Sequence, residues 1–335
     1  MKRRRAWVLA GGLVLLLLFI PAFLPGWIVF LLTVAFAKAL VVLGVVLLLR
    51  GGLVSFGHGM FFAAGAYTVA FAQKTLDIQE ALILIALALI VGAVLAAPIG
   101  LFLARYRGLF FGMFSVALSM MLYSLLLKSY WITGGTDGMR IRTPTIAGMV
   151  LPPEIMRASQ YELTVLFMLA ALYVAYRLVA SPLGYLITAV HDNELRVEFM
   201  GASVQQAISR VYLVSGMLGA LGGALDAFSV AHIVPDMSYW TQSGEFVFVA
   251  LLGGWGSVFA PVVGSVVFEF VRNYAFKYSP YTWQLILGAV LLGIIFFFPS
   301  GLWGLYQAAG RWRQRFTKRT LPAVDRGQPA YTETT

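Results

Sequence analysis

An all-α, polytopic membrane protein of about ten spans is predicted, on three observations. Hydrophobic residues make up 60% of the 335 and charged residues only 11%, against roughly 25% in soluble domains. Apolar runs of spanning length recur along nearly the whole chain. Lys and Arg gather at the ends of those runs and in a tail, not on a soluble face, so the net charge of +10 does not argue for nucleic acid. In lipid no water satisfies an open backbone, so each run is read as a helix. The chain has no cysteine, which excludes disulfides, thiolate metal sites and cysteine nucleophiles. His58, His191 and His232 lie far apart without ligand spacing, so no metal and no other cofactor is expected.

Met1–Arg5 (MKRRR) precedes an apolar run from Trp7 to Ile20. Pro21 and Pro25 stand where a signal peptide would need a small-residue cleavage site, so an uncleaved first span is expected. Further runs fall at 27–49, 53–72, 80–103, 108–128, 161–180, 207–230, 244–258, 260–276 and 282–298. With the N-terminus inside and Lys38 within a span, the remaining Lys and Arg divide 16 inside to 7 outside. The basic excess sets orientation, so both termini are expected in the cytoplasm. The chain then divides into an N-terminal span (1–26), a multi-span body (27–307) and a basic, then polar, tail (308–335).

Spans two to five start outside and seven to ten inside, which suggests two inverted repeats. The second member of each group is rich in glycine: GGLVSFGHGMFFAAGAYTVA at 51–70 and GEFVFVALLGGWGSVFAPVVG at 244–264. Glycine-interrupted segments at matching positions of two halves point to a transport pathway. Ser55, Phe56, Gly57, His58 and Gly59 form the most polar point of the first, and Gly253, Gly254 and Trp255 interrupt the second. Lys38 is costly mid-span unless paired, with Asp226 and Glu269 as candidate partners. An outer loop over 131–161 opens with Thr133, Gly134, Gly135, Thr136 and Asp137, whose chemistry is that of an ordinary turn. A loop that long suits a lid or docking surface.

The stretch 181–206, SPLGYLITAVHDNELRVEFMGASVQQ, is too polar for a bilayer core and falls on the cytoplasmic side. A short helix is expected over 192–200, with Asp192 as N-cap, Glu194 in its first turn and Gly201 just past its end. Leu195 and Phe199 share a face at a spacing of four, with Glu194 and Glu198 beside them, in a polar run that also holds Asn193 and Arg196. A helix this short needs a surface to lie on. No phosphate-binding loop, G-x-S-x-G elbow or H-E-x-x-H pair occurs, so ATP binding or hydrolysis by this chain is not expected.

GLVSFGHGMFFAAGAY, TGGTDGM, SPLG with HDNELRVEFMGASV, SGMLGALGGAL, LLGGWGSVFAPVVGS and FPSGLWGL follow one another in that order. Together they resemble the permease subunit of branched-chain amino-acid ABC importers, of the M (LivM) type. Urea and short-amide permeases are similar. The resemblance implies a pore-forming subunit of a bacterial inner membrane. It also implies a second homologous permease, two cytoplasmic ATPases and a periplasmic binding protein as partners. It would make 192–200 the coupling helix, with Leu195 and Phe199 as its apolar anchor in an ATPase cleft and Glu194, Arg196 and Glu198 fixing register at the rim. The lead-in Val45–Gly51 and His191 depart from the family's usual Asn, Gly-Tyr and basic residue. An ion-gradient-driven secondary transporter and a membrane scaffold are the readings from other classes.

Overall fold

The computed structural model describes residue 17 and residues 20–146, 148–149, 152–297 and 301–304. The expected first span at 7–20 falls almost wholly outside the described residues, and the tail at 308–335 does so entirely. Ten helices of at least 14 residues run through the described residues. They are α1 (Gly26–Leu49), α2 (His58–Thr75), α3 (Ala81–Leu103), α4 (Gly108–Lys128) and α5 (Pro153–Val179). Then follow α6 (Pro182–Phe199), α7 (Val204–Val230), α8 (Trp240–Gly253), α9 (Ala260–Tyr278) and α10 (Trp283–Phe297). Five of them, α1, α3, α4, α5 and α7, are long and apolar enough to cross a membrane.

Three boundaries differ from those expected. The apolar run at 53–72 becomes helical only at His58, because Gly51 and Gly52 form a turn against Leu48 and Leu49. The run at 244–258 is helical earlier, from Trp240, and stops at Gly253. The outer loop is shorter than 131–161, because α5 starts at Pro153, whose ring suits a first helical position. The first turns of α5 are polar, and Gln160 Nε2 donates to the Phe228 carbonyl at 3.1 Å. Hydropathy alone therefore placed this start too late.

The core forms around α7, whose neighbours are α1, α2 and α3. Its sequence, SGMLGALGGAL, keeps small residues on the packed faces. A Cβ on Gly223 would sit 1.8 Å from the Phe62 carbonyl oxygen, and one on Gly65 of α2 would sit 1.9 Å from that of Ala220. Only glycine lets these two backbones come so close, which is how helices gain contact where lipid competes for apolar side chains. Beyond its first turns, α1 is buried on all sides between α5, α7, α8 and α9, as an evenly hydrophobic helix should be.

A cluster of charges lies within this packing. Lys38 Nζ on α1 reaches Glu269 Oε1 on α9 at 2.6 Å, and both side chains are nearly buried. Of the two expected candidates, Glu269 is therefore the partner. Arg272 Nη1 lies 3.6 Å from both Glu269 and Glu245. Asp226 on α7 is buried, and its Oδ1 has no hydrogen-bond partner. Outside the bundle, Met139–Arg140 (β1) pairs antiparallel with His232–Ile233 (β2), which ties the outer loop to the end of α7.

Two stability effects follow, both read as the melting temperature of the detergent-purified protein. Gly223→Ala forces α7 off α2 and costs about 1–3 kcal/mol or more, whereas Gly244→Ala, whose Cβ meets nothing within 4 Å, leaves melting unchanged or slightly raised. Lys38→Met strands buried carboxylates and costs about 3–5 kcal/mol. Adding Glu269→Gln recovers part of that loss.

Candidate functional site

The lead-in to α2 is drawn inward by serines on three other helices. Phe56 N donates to Ser115 Oγ on α4 at 3.0 Å, and Gly59 N donates to Ser243 Oγ on α8 at 2.8 Å. His58 Nε2 and Ser215 Oγ of α7 are 2.6 Å apart. Ser55 is fully buried, and its Oγ accepts weakly from Gly57 N at 3.4 Å. The Phe56 and Gly59 amides and His58 Nε2 are thus held by side chains from helices far away in sequence. Ser115, Ser215 and Ser243 were not among the expected site residues. Their signal is faint, since single serines on apolar helices usually bond their own backbone. Ser119, one turn after Ser115, does the same for the far loop, donating to the Ser238 carbonyl at 2.7 Å.

Gly253 and Gly254 are buried at the end of α8, while Trp255 is half exposed. The start of α8 reaches Ser55–Gly59 through Ser243, and the next turn of α2 through the edge-on Phe62–Phe246 pair. Trp255 lies beside His191, ring centroids 6.1 Å apart. The second glycine break therefore meets the polar stretch 181–206.

In the outer loop, Thr133 is buried and its Oγ1 donates to the Leu126 carbonyl at 2.6 Å while accepting from Gly135 N. Gly134 takes a left-handed conformation and Gly135–Asp137 make one 3₁₀ turn, with Thr136 exposed. Tyr130 Oη donates to Asp137 Oδ2 at 3.4 Å. The turn chemistry expected from TGGTDG is what is found. Thr133 also borders an apolar cavity of about 670 Å³ between α2, α3 and α4.

The stretch 181–206 folds differently from expectation at one point. The helix is continuous from Pro182, with Ser181 as its N-cap, and breaks only at Asn193, where φ is −163° and ψ 102°. The capping residue of the distal part is therefore Asn193, not Asp192: its Oδ1 accepts from Arg196 N at 2.9 Å. An amide one residue later serves as well as a carboxylate at this position. Gly201 follows the helix with φ +81°, a conformation that costs glycine nothing.

Arg107, just before α4, holds this distal helix in place. Its Nε and Nη2 donate to the two carboxylate oxygens of Glu194 at 2.8 and 2.7 Å. Its Nη1 donates to the carbonyls of Ala104 and Tyr106 at 2.7 and 2.8 Å. The planar fork suits this two-point grip. Val197 is buried beneath the same turn, and Glu198 and Arg196 face outward. The opposite face carries Leu195 at 66% exposure and Phe199 at 89%, followed by Met200 at 68%. Leaving a leucine and a phenylalanine uncovered forgoes about 1.5–3 kcal/mol each.

Comparison with known proteins places this sequence in a family. Residues 27–295 match the family described as "Branched-chain amino acid transport system / permease component". The high-affinity branched-chain amino acid transport system permease protein LivM of Salmonella typhimurium is 25% identical over 276 residues, 75% of this chain and 64% of that one. The probable LivM of Methanocaldococcus jannaschii is 26% identical over 233 residues, 65% of this chain and 66% of that one. A galactose/methyl galactoside import permease protein, MglC, of Haemophilus influenzae is 24% identical over 138 residues, 39% of this chain and 41% of that one. The match thus spans under two thirds of the Salmonella relative's length. No solved structure matches the chain. The family pattern covers far more than half of the sequence, and the chain belongs to that permease family.

Proposed function

We propose that this chain is a transmembrane permease subunit of an ATP-binding-cassette importer that moves a branched-chain or other small amino acid inward. The observation that carries this reading is the uncovered Leu195–Phe199 face on a helix fixed from behind by Arg107–Glu194 and Val197. Apolar anchors on a pre-positioned helix are what a protein cleft grips, with the charged rim setting register. Glu194 is engaged within the chain, so Arg196 and Glu198 are the rim charges left for a partner. In this reading the partners are two cytoplasmic ATPases, a second homologous permease and a periplasmic binding protein. The chain crosses the bacterial inner membrane about ten times in two inverted repeats, with both termini in the cytoplasm. Residues 1–26 form the first span, 27–307 the permease body and 308–335 the tail. Closure of the ATPases rocks the halves about a pathway that includes Ser55–Gly59 and Gly253–Trp255. The outer turn Thr133–Asp137 lies on the side that meets the binding protein.

A second reading keeps the machinery and changes the cargo, to urea, a short amide or another small organic solute. Sugar-permease relatives favour it: besides MglC, a ribose import permease protein of Haemophilus influenzae is 31% identical over 103 residues. An ion-gradient-driven transporter would move solute without ATPases when the purified chain alone is placed in vesicles.

Leu195→Asp combined with Phe199→Asp is expected to bring uptake to background and to stop ATPases co-purifying, while the amount of protein in the membrane is unchanged. Uptake that persists removes the helix from the coupling role. Arg107→Ala loosens a half-exposed ion pair worth about 1 kcal/mol, so uptake falls about severalfold without being abolished.

A further inference from the structure

A cavity of about 320 Å³ opens where the first turns of α1 meet the last turns of α9 and the start of α10. It is apart from Ser55–Gly59, from the glycine break after α8 and from the distal part of α6. One wall is apolar, made by Phe30, Leu31 and Val34 of α1 with Phe276 and Trp283. The other is charged, made by Glu269 and Arg272. Its volume is at the low end of ligand pockets, about 300–1,000 Å³, so it suits a small molecule.

We propose that this cavity binds a free amino acid as its zwitterion, with the carboxylate on Arg272, the ammonium beside Glu269 and an apolar side chain against α1, Phe276 and Trp283. This rests on the amino-acid reading above and names a binding site for that cargo.

The Arg272 guanidinium has capacity for such a ligand. Its contacts with Glu245 and Glu269 share one nitrogen, Nη1, and both are 3.6 Å, beyond hydrogen-bond length. A guanidinium has five donors in a planar fork that fits a carboxylate at two points. Trp283 lies under this group, 5.6 Å from ring centroid to Cζ, which fixes its plane.

The surrounding charge selects the ligand. Lys38 and Arg272 face three carboxylates, those of Asp226, Glu245 and Glu269. Asp226 Oδ1 is buried without a hydrogen-bond partner. A simple anion such as phosphate would meet the carboxylates of Glu245 and Glu269 beside the arginine. A simple amine would meet Arg272 and Lys38. A zwitterion brings its ammonium to the carboxylates and its carboxylate to the arginine. The apolar wall then favours a hydrocarbon side chain over a polar one.

The test is equilibrium binding of labelled L-leucine to the purified full chain in lipid nanodiscs, with N-acetyl-L-leucine and L-leucinamide as competitors. Saturable leucine binding is expected, with each analogue weaker by about tenfold or more, since each loses one of the two charge contacts that leucine makes, with Glu269 or with Arg272. In Arg272→Gln, leucine and leucinamide should bind equally, because the group that distinguishes them is gone. Where that variant fails to fold, the analogues on the unaltered protein decide. N-acetyl-leucine binding as tightly as leucine overturns the proposal. So does an absence of saturable binding while the assembled importer takes up leucine, a result that leaves the importer reading intact. If the assembled importer takes up no leucine, the amino-acid reading falls and the cavity assignment falls with it.

Discussion

Helices in lipid gain little by hiding apolar side chains from one another, because the surrounding chains of lipid are as apolar as leucine. What they gain is contact, and contact requires that backbones come close. The described bundle depends on that constraint. Gly65 and Gly223 lie where α2 and α7 press together, and added methyl groups would land within 2 Å of a carbonyl oxygen. Because α7 also faces α1 and α3, its small-residue faces set the spacing of the whole arrangement.

The charged cluster obeys a different economy. A lysine in the middle of α1 is tolerable only with an acid beside it, and Glu269 lies at 2.6 Å. Such a pair adds little net stability compared with well-packed hydrophobic residues, yet removing one partner is severe. It therefore acts as a register device, holding α1 and α9 at one setting. Arg272 and Trp283 continue the same chain of contacts to α10.

Most helices were legible in the sequence because hydropathy over twenty residues is a strong signal: α1, α3 and α4 begin and end within a residue or two of expectation. Misplaced boundaries arose where polarity and helicity part company. The polar first turns of α5 lie beyond its apolar run, and the apolar Leu53, Val54 and Phe56 are not helical. The Ser-Phe-Gly-His segment was conspicuous as a motif, but its partners were not. Ser115, Ser215 and Ser243 are isolated hydroxyls on three helices, and only the fold brings them to one place. Arg107 was counted merely as a cytoplasmic positive charge. Nothing local announces that it grips Glu194 across 87 positions.

That grip changes how the distal part of α6 is attached. The kink at Asn193 makes its covalent link to the rest of α6 a joint, whereas the two-point fork of Arg107 is a stiff strut to the head of α4. A load applied at the tip consequently divides between two routes. One runs back along α6; the other enters α4, whose Ser115 and Ser119 clasp the Phe56 amide and the Ser238 carbonyl. The tip and the buried Ser55–Gly59 segment are thereby joined through one helix, α4.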